Sequence, residues 1–166
     1  MSSNSTNYQQ NIQNIEENRK GGQVALAGYT YQLWYSCYLI LNELDKGNTY
    51  KLEGIEDIDK IESIEKSNDD VFTHIQIKYS DNKQSSSFLK NVLKNFLEIY
   101  LNDNNRKFIL VYDFEVREGH LKKLINDELD SKSNQYWKSI ISDIKEDNEK
   151  WEWDNFSYDE FMSVLD

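Results

Sequence analysis

Three polar residues, Asp57, Gln76 and Lys78, are the strongest candidates for chemistry in this sequence. Residues two apart in a β-strand lie on one face, so Gln76 and Lys78 project together from the strand predicted over residues 71–79. Asp57 precedes them by about one hairpin, which brings its carboxylate beside the Gln76 amide and the Lys78 ammonium. Carboxylate and amide oxygens can hold Mg²⁺, which lowers the pKa of a bound water, while a lysine stabilises a pentavalent phosphate. The same short Gln-x-Lys pattern also fits the solvated face of an edge strand.

Further polar residues accompany this cluster. His74 lies on the same strand face, where it could contact substrate or orient water, although such a histidine is more often a hydrogen-bonded strand residue. A local group of basic side chains follows in the chain, and it fits either contacts with DNA phosphates or a solvated helix face. This group consists of Lys83, Lys90, Lys94, Arg106 and Lys107.

The composition limits the class of protein. The chain has 166 residues, the size of one domain, and an aromatic content of 13% argues against global disorder. Cys37 is its single cysteine, which excludes an internal disulfide and a multi-cysteine zinc site and is typical of a reduced cytoplasm. Because no long apolar run is present, we expect neither a signal peptide nor a membrane span, and we predict a cytoplasmic location.

The charge distribution bears on nucleic-acid binding. The formal net charge is -11, which repels a polyanion at long range. Residues 78–107 are nevertheless locally basic, at roughly +3, and a polyanion would have to use this stretch. We therefore expect weak DNA binding by an isolated monomer and predict a homo-oligomer or a larger assembly that aligns several basic stretches.

Hydrophobic periodicity predicts the order of elements. Residues 1–20 read as a flexible arm and residues 21–166 as one domain, with a core over about 21–114 and a helical extension over 115–166. The first helix is predicted to be buried on more than one side, with Cys37 as a small buried residue, and the last strand to be an interior strand. The predicted helices cover residues 23–44, 88–101 (capped by Ser86 or Ser87), 119–129, 135–146 and 158–165. The predicted strands cover residues 50–55, 57–64, 71–79 and 107–114, with a turn at 67–70. This order indicates an α/β or α+β fold with a mixed sheet.

Three segments in this order resemble one known group. They are Gly28-Tyr29-Thr30-Tyr31-Gln32, Glu53-Gly54-Ile55-Glu56-Asp57-Ile58-Asp59 and Ile75-Gln76-Ile77-Lys78. The combination resembles the PD-(D/E)xK, or restriction-endonuclease-like, nucleases, and in particular the nuclease domains of bacterial antiviral effectors. These include CBASS effectors that pair the nuclease with a SAVED sensor, and Lamassu-type relatives. The resemblance covers roughly residues 21–114.

The resemblance implies an αβββαβ core and metal-dependent hydrolysis of double-stranded DNA with Mg²⁺, or Mn²⁺ in its place. By position, Asp57 matches the metal-binding acid, Gln76 stands where a second acid is usual, and Lys78 matches the catalytic lysine. Gln32 and Glu53 match further polar positions of the group. Glu56, Asp57 and Asp59 crowd one place, so which of the acids from Glu53 to Asp59 reaches the metal stays open.

Two other functions fit the same sequence. One is a catalytically inactive nuclease fold that docks a defence partner, and the other is an acidic protein that mimics DNA. The partners implied by the resemblance are double-stranded DNA and either a second copy or a defence-complex partner, with no membrane. Members of the group usually continue into a sensor or regulatory domain.

Overall fold

One mixed sheet with helices on both faces forms the framework. The computed structural model describes residues 3–63 and 70–166. Its helices are α1 (Ser3–Asn42), α2 (Ser86–Asn102), α3 (His120–Ile125), α4 (Ser131–Asp147) and α5 (Tyr158–Ser163). Its strands are β1 (Thr49–Leu52), β2 (Ile58–Ser63), β3 (Asp70–Tyr79) and β4 (Arg106–Asp113). The predicted α+β class, the mixed sheet and the helical C-terminal region are confirmed.

The sheet has the strand order β1-β2-β3-β4. β1, β2 and β3 are an antiparallel meander, and β3 pairs with β4 in parallel. A parallel pair needs a crossover connection, and α2 supplies it. The sheet register places Ile58 opposite Ile75, and Ile77 opposite Val111.

Alternation along β3 divides the core into two hydrophobic clusters. Ile58, Ile75 and Ile77 face α1, where Tyr31 and Tyr35 pack against them. The opposite face is covered by α2 and the C-terminal helices, in a larger cluster of buried residues. Its members include Leu93, Phe96, Leu97, Phe108, Trp137, Ile144 and Phe161. Gln76 and Lys78 lie on this second face, because they alternate with the isoleucines.

The junction between α1 and the sheet is fixed by Glu43, just after the helix. Its carboxylate pairs with the Lys60 ammonium of β2 at 2.8 Å and accepts a hydrogen bond from the Tyr50 hydroxyl of β1. A 3-10 turn, Leu44–Lys46, and the left-handed Gly47 (φ 69°) then lead into β1. These contacts hold α1 against the sheet.

The prediction that the last strand is interior is wrong. β4 lies at the edge of the sheet, and its residues are covered on both faces by the two clusters. Its outer edge is met by the C-terminal residues: the Phe108 N–H donates to the Val164 carbonyl at 3.0 Å, and the Asp166 N–H donates to the Phe108 carbonyl at 2.9 Å. This departure of the chain toward β4 ends the last helix at Ser163 rather than at residue 165.

The first helix differs from its prediction in two ways. It begins at Ser3 rather than at residue 23, since no proline between these two positions breaks the helix. Flexibility of residues 1–20 stays a prediction. Only one side of α1 contacts the sheet, so the prediction of burial on more than one side is wrong, and Cys37 is exposed rather than buried.

No helix in the described ranges is long and apolar enough to cross a membrane.

Other predicted boundaries shift by a few residues. α2 begins at Ser86, and its N-cap is Ser85 rather than Ser86 or Ser87; the Ser85 side chain makes no capping hydrogen bond. β1 ends at Leu52, before the loop that precedes β2. Residues 67–69 of the predicted turn lie outside the described residues. The predicted helix over 119–129 ends at Ile125, while α4 begins earlier than predicted, at Ser131.

Ile75→Ala tests whether α1 and the sheet form a packed core. Ile75 is 2% exposed, so removing its side chain leaves a cavity and should lower the free energy of unfolding by about 2–5 kcal/mol. The matched control is Ile55→Ala, because the Ile55 side chain is 65% exposed and its loss should cost at most about 0.5 kcal/mol. Urea unfolding followed by tryptophan fluorescence measures both, and equal losses would contradict this packing.

Candidate active site

The loop between β1 and β2 is organised by the carboxylate of Asp59. It accepts hydrogen bonds from the Ile55 N–H at 2.8 Å and the Glu56 N–H at 3.4 Å. His74 on the neighbouring strand contacts it through Nδ1, also at 2.8 Å. Asp59 is 7% exposed, and a buried carboxylate of this kind is stable only when donors surround it. Asp59 therefore holds the loop and is already committed to structural partners.

Gly54 allows the loop to approach that carboxylate. A Cβ at position 54 would lie 2.0 Å from the Asp59 Oδ2 atom, so only glycine fits there. Glu53, next to it, has a positive φ of 51°, and its N–H donates to the Asp57 carbonyl at 3.0 Å. The Glu53 side chain is exposed, while the turn directs Glu56 and Asp57 toward the sheet.

The backbone N–H and C=O of Ile77 are each bonded to a predicted site residue. The Ile77 N–H donates to Asp57 Oδ2 at 2.5 Å, and the Gln32 amide of α1 donates to the Ile77 carbonyl at 3.4 Å. Ile77 lies between Gln76 and Lys78, so these contacts bring Gln32 and Asp57 to the Gln-x-Lys segment. The sequence prediction that Asp57 and this segment meet across a hairpin agrees with these contacts.

Gln76 is the most unusual polar side chain of this site. It is 6% exposed, and its Oε1 atom is buried without a hydrogen-bond partner. Asp57 immediately precedes Ile58, whose partner in the sheet is Ile75, and its Oδ2 accepts from the N–H of Ile77, the residue after Gln76. A buried carbonyl oxygen without a donor costs about 1–3 kcal/mol, which makes it a natural ligand for a cation.

His74 does not reach the open part of the site. Its ring is 1% exposed, lies against Phe108 with a centroid distance of 5.8 Å, and is bonded to Asp59. The predicted contact of His74 with substrate does not fit this burial. Its Nε2 atom is buried without a partner, so the ring is positioned by the Asp59 contact and by packing.

Glu56 is a buried carboxylate at the centre of the acidic residues. It is 7% exposed, and burial is the main cause that raises its pKa to about 7. The negative charges of Asp57 and Asp59 raise this pKa further, while the Lys78 ammonium and a hydrogen bond with the Asn95 side chain lower it. The Lys78 charge therefore acts on the same small region as Glu56 and Asp57.

A cavity of about 550 Å³ opens beside Glu56, between the loop and α2. Polar side chains that line it recur three or four residues apart on one side of α2: Asn95, Glu98 and Asn102. The sequence analysis missed Asn95, although this polar spacing was a signal for it. It also missed the pairing of Asp59 with His74, which depends on the path of the loop.

The donor set fits a hard divalent cation. Carboxylate and amide oxygens are the ligands that Mg²⁺ and Mn²⁺ accept. The orphan Oε1 belongs to Gln76, the residue before Ile77, whose N–H donates to the Asp57 carboxylate. In the described part of the chain, no three His, Cys, Asp or Glu side chains cluster as a metal site. A cation here would therefore be held by one or two carboxylates together with Gln76 and water.

The predicted DNA-contacting lysines are mostly paired with acids. Lys83 lies 2.5 Å from Glu115. Lys90 lies 3.9 Å and 3.6 Å from the carboxylates of Asp143 and Asp147. The remaining positions differ: Arg106 pairs with Asp103 at 2.7 Å, while Lys94 and Lys107 are exposed. The local positive charge of residues 78–107 is thus partly neutralised by other parts of the fold.

This combination of a mixed sheet, a Gln-x-Lys strand and an acidic loop defines a nuclease-like α+β domain. The family model described as "Cap4, dsDNA endonuclease domain" matches residues 20–161, and the chain belongs to this family. It is a DNA endonuclease domain of an antiviral defence effector, with a fold consistent with the restriction-endonuclease-like class. No curated protein matches the chain, and no solved structure does.

The environment of Glu56 predicts a specific pH dependence of stability. Its pKa rises from 4.5 to about 7 on folding, so the folded state binds the proton more tightly. Stability from this group is complete below pH 4.5 and is lost as the pH rises through about 7. Glu56→Gln removes this loss, which is at most on the order of 3 kcal/mol.

Urea unfolding of the wild type and Glu56→Gln at pH 5 and pH 8, with chelator present, measures the difference. The free energy of unfolding of the variant, relative to that of the wild type, should be higher at pH 8 than at pH 5. Parallel profiles for the two proteins would contradict the assigned environment of Glu56.

Proposed function

We propose that this domain hydrolyses double-stranded DNA with Mg²⁺, or Mn²⁺ in its place, at the site formed by Asp57, Gln76 and Lys78. The observation that carries the proposal is the buried, unpartnered Oε1 atom of Gln76, in the segment whose Ile77 N–H donates to the Asp57 carboxylate. The family match supports endonuclease activity and favours it over an inactive docking module or a DNA mimic. We also propose a cytoplasmic location.

Each side chain has a distinct role in this proposal. Asp57 and Gln76 would hold the cation, which when bound stabilises charge on the phosphate and acidifies a bound water. Lys78 donates to a phosphate oxygen and stabilises the charge that develops on it. The Asp57 carboxylate holds the Ile77 N–H and Gln32 holds the Ile77 carbonyl, so they fix the strand that carries Gln76 and Lys78.

Electrostatics decides which lysines can serve DNA binding. Lys83 and Lys90 carry nearby carboxylates, so they offer less net charge to phosphates than isolated lysines do. Lys94 is exposed on α2, and no ion pair is recorded for it among the described residues. We propose that Lys78 and Lys94 make the main phosphate contacts, with Lys83 and Lys90 contributing less.

Lys78→Ala and Asp57→Ala test the proposed chemistry. Loss of a charge contact in the transition state costs about 2.7–4 kcal/mol, so cleavage should fall roughly a hundred- to thousand-fold in each variant. Linearisation and degradation of a plasmid, with Mg²⁺ or with chelator, measure the rate. Circular dichroism establishes that each variant is folded.

The matched control for Lys78→Ala is Lys150→Ala, which removes an exposed lysine from the C-terminal region. The control should cut at the rate of the wild type. Cleavage by Lys78→Ala at the wild-type rate, or wild-type cleavage that does not need a divalent cation, would overturn the proposal.

We further propose that the domain works as a homo-oligomer whose copies meet through the outer face of α1. This face consists of the exposed side chains Val24, Leu26, Tyr29, Leu33, Trp34, Tyr38 and Leu41. Within this face, Leu26, Tyr29 and Leu33 are three and four apart, as are, in steps of four and three, Trp34, Tyr38 and Leu41, which is the spacing of a helix that pairs with another helix. The pattern therefore favours a second copy of the same helix as the occupant.

Area and charge support this occupant. Tyr29, Trp34 and Tyr38 are 58–72% exposed, and they alone present roughly 300–450 Å² of surface. With the aliphatic residues, the outer face approaches the roughly 800 Å² per partner of a standard interface. Residues 21–42 contain no charged side chain, whereas the whole chain carries -11, so this face meets a second copy with the least repulsion.

Leu33→Glu tests the assembly, because it places like charges opposite each other in the helix pair. Sedimentation velocity from about 1 to 100 μM should show a wild-type oligomer and a monomeric variant, with specific cleavage rising as the wild type assembles. Leu52→Glu, at an exposed leucine of β1, is the control and should assemble normally. Oxidation of the single exposed Cys37 should link wild-type copies covalently. A wild type that is monomeric at 100 μM would contradict the proposal.

A further inference from the structure

The proposed cation site lacks net negative charge when only the residues matched by the family pattern are counted. Asp57 supplies one negative charge, Gln76 is neutral, and Lys78 supplies one positive charge. This set has no net charge with which to attract a divalent cation. Sites for Mg²⁺ in proteins normally contain one or two carboxylates, and a lysine beside a single carboxylate cancels its contribution.

Asp59 does not provide the missing charge. Its carboxylate accepts two backbone hydrogen bonds and contacts His74, and a Cβ at position 54 would lie 2.0 Å from its Oδ2 atom. The loop and β3 thus supply the hydrogen-bond partners of the Asp59 carboxylate. A change in Asp59 would release the loop that carries Glu56 and Asp57, so Asp59 is a positioning residue.

Glu53 does not provide the charge either. Its side chain is exposed, and its backbone has the positive φ of the turn. An exposed carboxylate keeps its water shell and does not need a cation as a partner. Glu56 differs, because its side chain is 7% exposed and no lysine or arginine forms an ion pair with it within the described ranges.

We infer that Glu56 is the second anionic ligand of the divalent cation, and that it supplies the charge which glutamine at position 76 lacks. The inference rests on the proposed function, since it concerns the same cation. It adds to that proposal one residue that the Gln-x-Lys pattern does not identify. With Glu56 included, the net charge of Glu56, Asp57, Gln76 and Lys78 becomes -1.

Two independent features support this role. The first is the position of Glu56: it follows Ile55, whose N–H is fixed by Asp59, and its own N–H is bonded to Asp59 as well. The second is the unpartnered Gln76 Oε1, a buried oxygen on the strand face that also carries Lys78. Two carboxylates adjacent in the chain, with Glu56 buried and Asp57 half-buried, and a buried orphan oxygen leave repulsion and an unmet acceptor that one divalent cation relieves together.

Asn95 of α2 is placed to orient the Glu56 carboxylate. Both residues line the 550 Å³ cavity, which puts the neutral Asn95 amide beside Glu56. A neutral donor can hold a carboxylate in place without cancelling its charge, which a lysine would do. The cavity gives water molecules room to complete the coordination, since Mg²⁺ usually keeps several of its waters.

The test is cation binding without DNA, so that it does not depend on cleavage. Isothermal titration calorimetry and electron paramagnetic resonance with Mn²⁺ measure binding to the full chain of the wild type and of Glu56→Gln. The variant should bind Mn²⁺ at least about tenfold more weakly, as should Asp57→Asn. Glu98→Gln is the matched control: it removes the same charge from an exposed residue of the same cavity, and its affinity should stay within about twofold of the wild type.

A double variant that moves the carboxylate from position 56 to position 76 makes the test specific. In the double variant Glu56→Gln with Gln76→Glu, the carboxylate returns at position 76, and Mn²⁺ affinity should recover to within about threefold of the wild type. Failure to recover in a folded protein would contradict the charge argument. Wild-type affinity in Glu56→Gln, with loss in Asp57→Asn, would overturn the inference and leave the proposed function standing. Absence of Mn²⁺ binding by the wild type would instead overturn the metal-dependent function.

Discussion

The buried carboxylate of Asp59 is the constraint on which the site depends. It binds two backbone N–H groups of the β1–β2 loop and the His74 ring of β3, so one side chain joins the loop to the centre of the sheet. The approach of Gly54 to this carboxylate is possible only without a side chain. Because the loop is fixed in this way, Glu56 and Asp57 face the strand that carries Gln76 and Lys78 rather than solvent. The geometry of the proposed site thus depends on an acid that is itself committed to structural contacts.

The sequence predicted the strand face and the hairpin well, because both follow from local periodicity. Gln76 and Lys78 alternate with Ile75 and Ile77, and this alternation is independent of the rest of the fold. The division of roles among the acids could not be predicted in the same way. Asp57 and Asp59 are two apart and chemically equivalent in sequence, and they differ only because the loop folds back over Asp59. The Asn95 contact depends likewise on how α2 crosses the sheet.

Burial was harder to predict than secondary structure. The apolar run of β4 indicated cover on both faces, but it carried no information on which strand would lie at the edge, since residues 164–166 occupy that edge. The apolar residues of α1 indicated burial on several sides, and the structure leaves one side open. A hydrophobic pattern predicts that a surface needs cover without identifying what provides it. For α1, the uncharged stretch and its helical spacing favour a second copy.

Acidic residues neutralise part of the positive charge of the domain. Acids from other segments lie beside Lys83 and Lys90, and the chain as a whole is strongly acidic. Long-range attraction of DNA is therefore weak, and in the proposed function productive binding depends on Lys78 and Lys94, on the cation and on several copies acting together. Such a domain would be inactive when dilute and effective when assembled, which suits an effector whose substrate is also present in its own cell.

The position of the cation itself tests this account most directly. Crystals soaked in Mn²⁺ and measured at the manganese absorption edge locate the ion from its anomalous signal. The account predicts one peak at roughly 2.1–2.3 Å from Gln76 Oε1 and from carboxylate oxygens of Asp57 and Glu56. A peak bound to Asp59 or at the protein surface, with Gln76 Oε1 bonded instead to a protein donor, would contradict it.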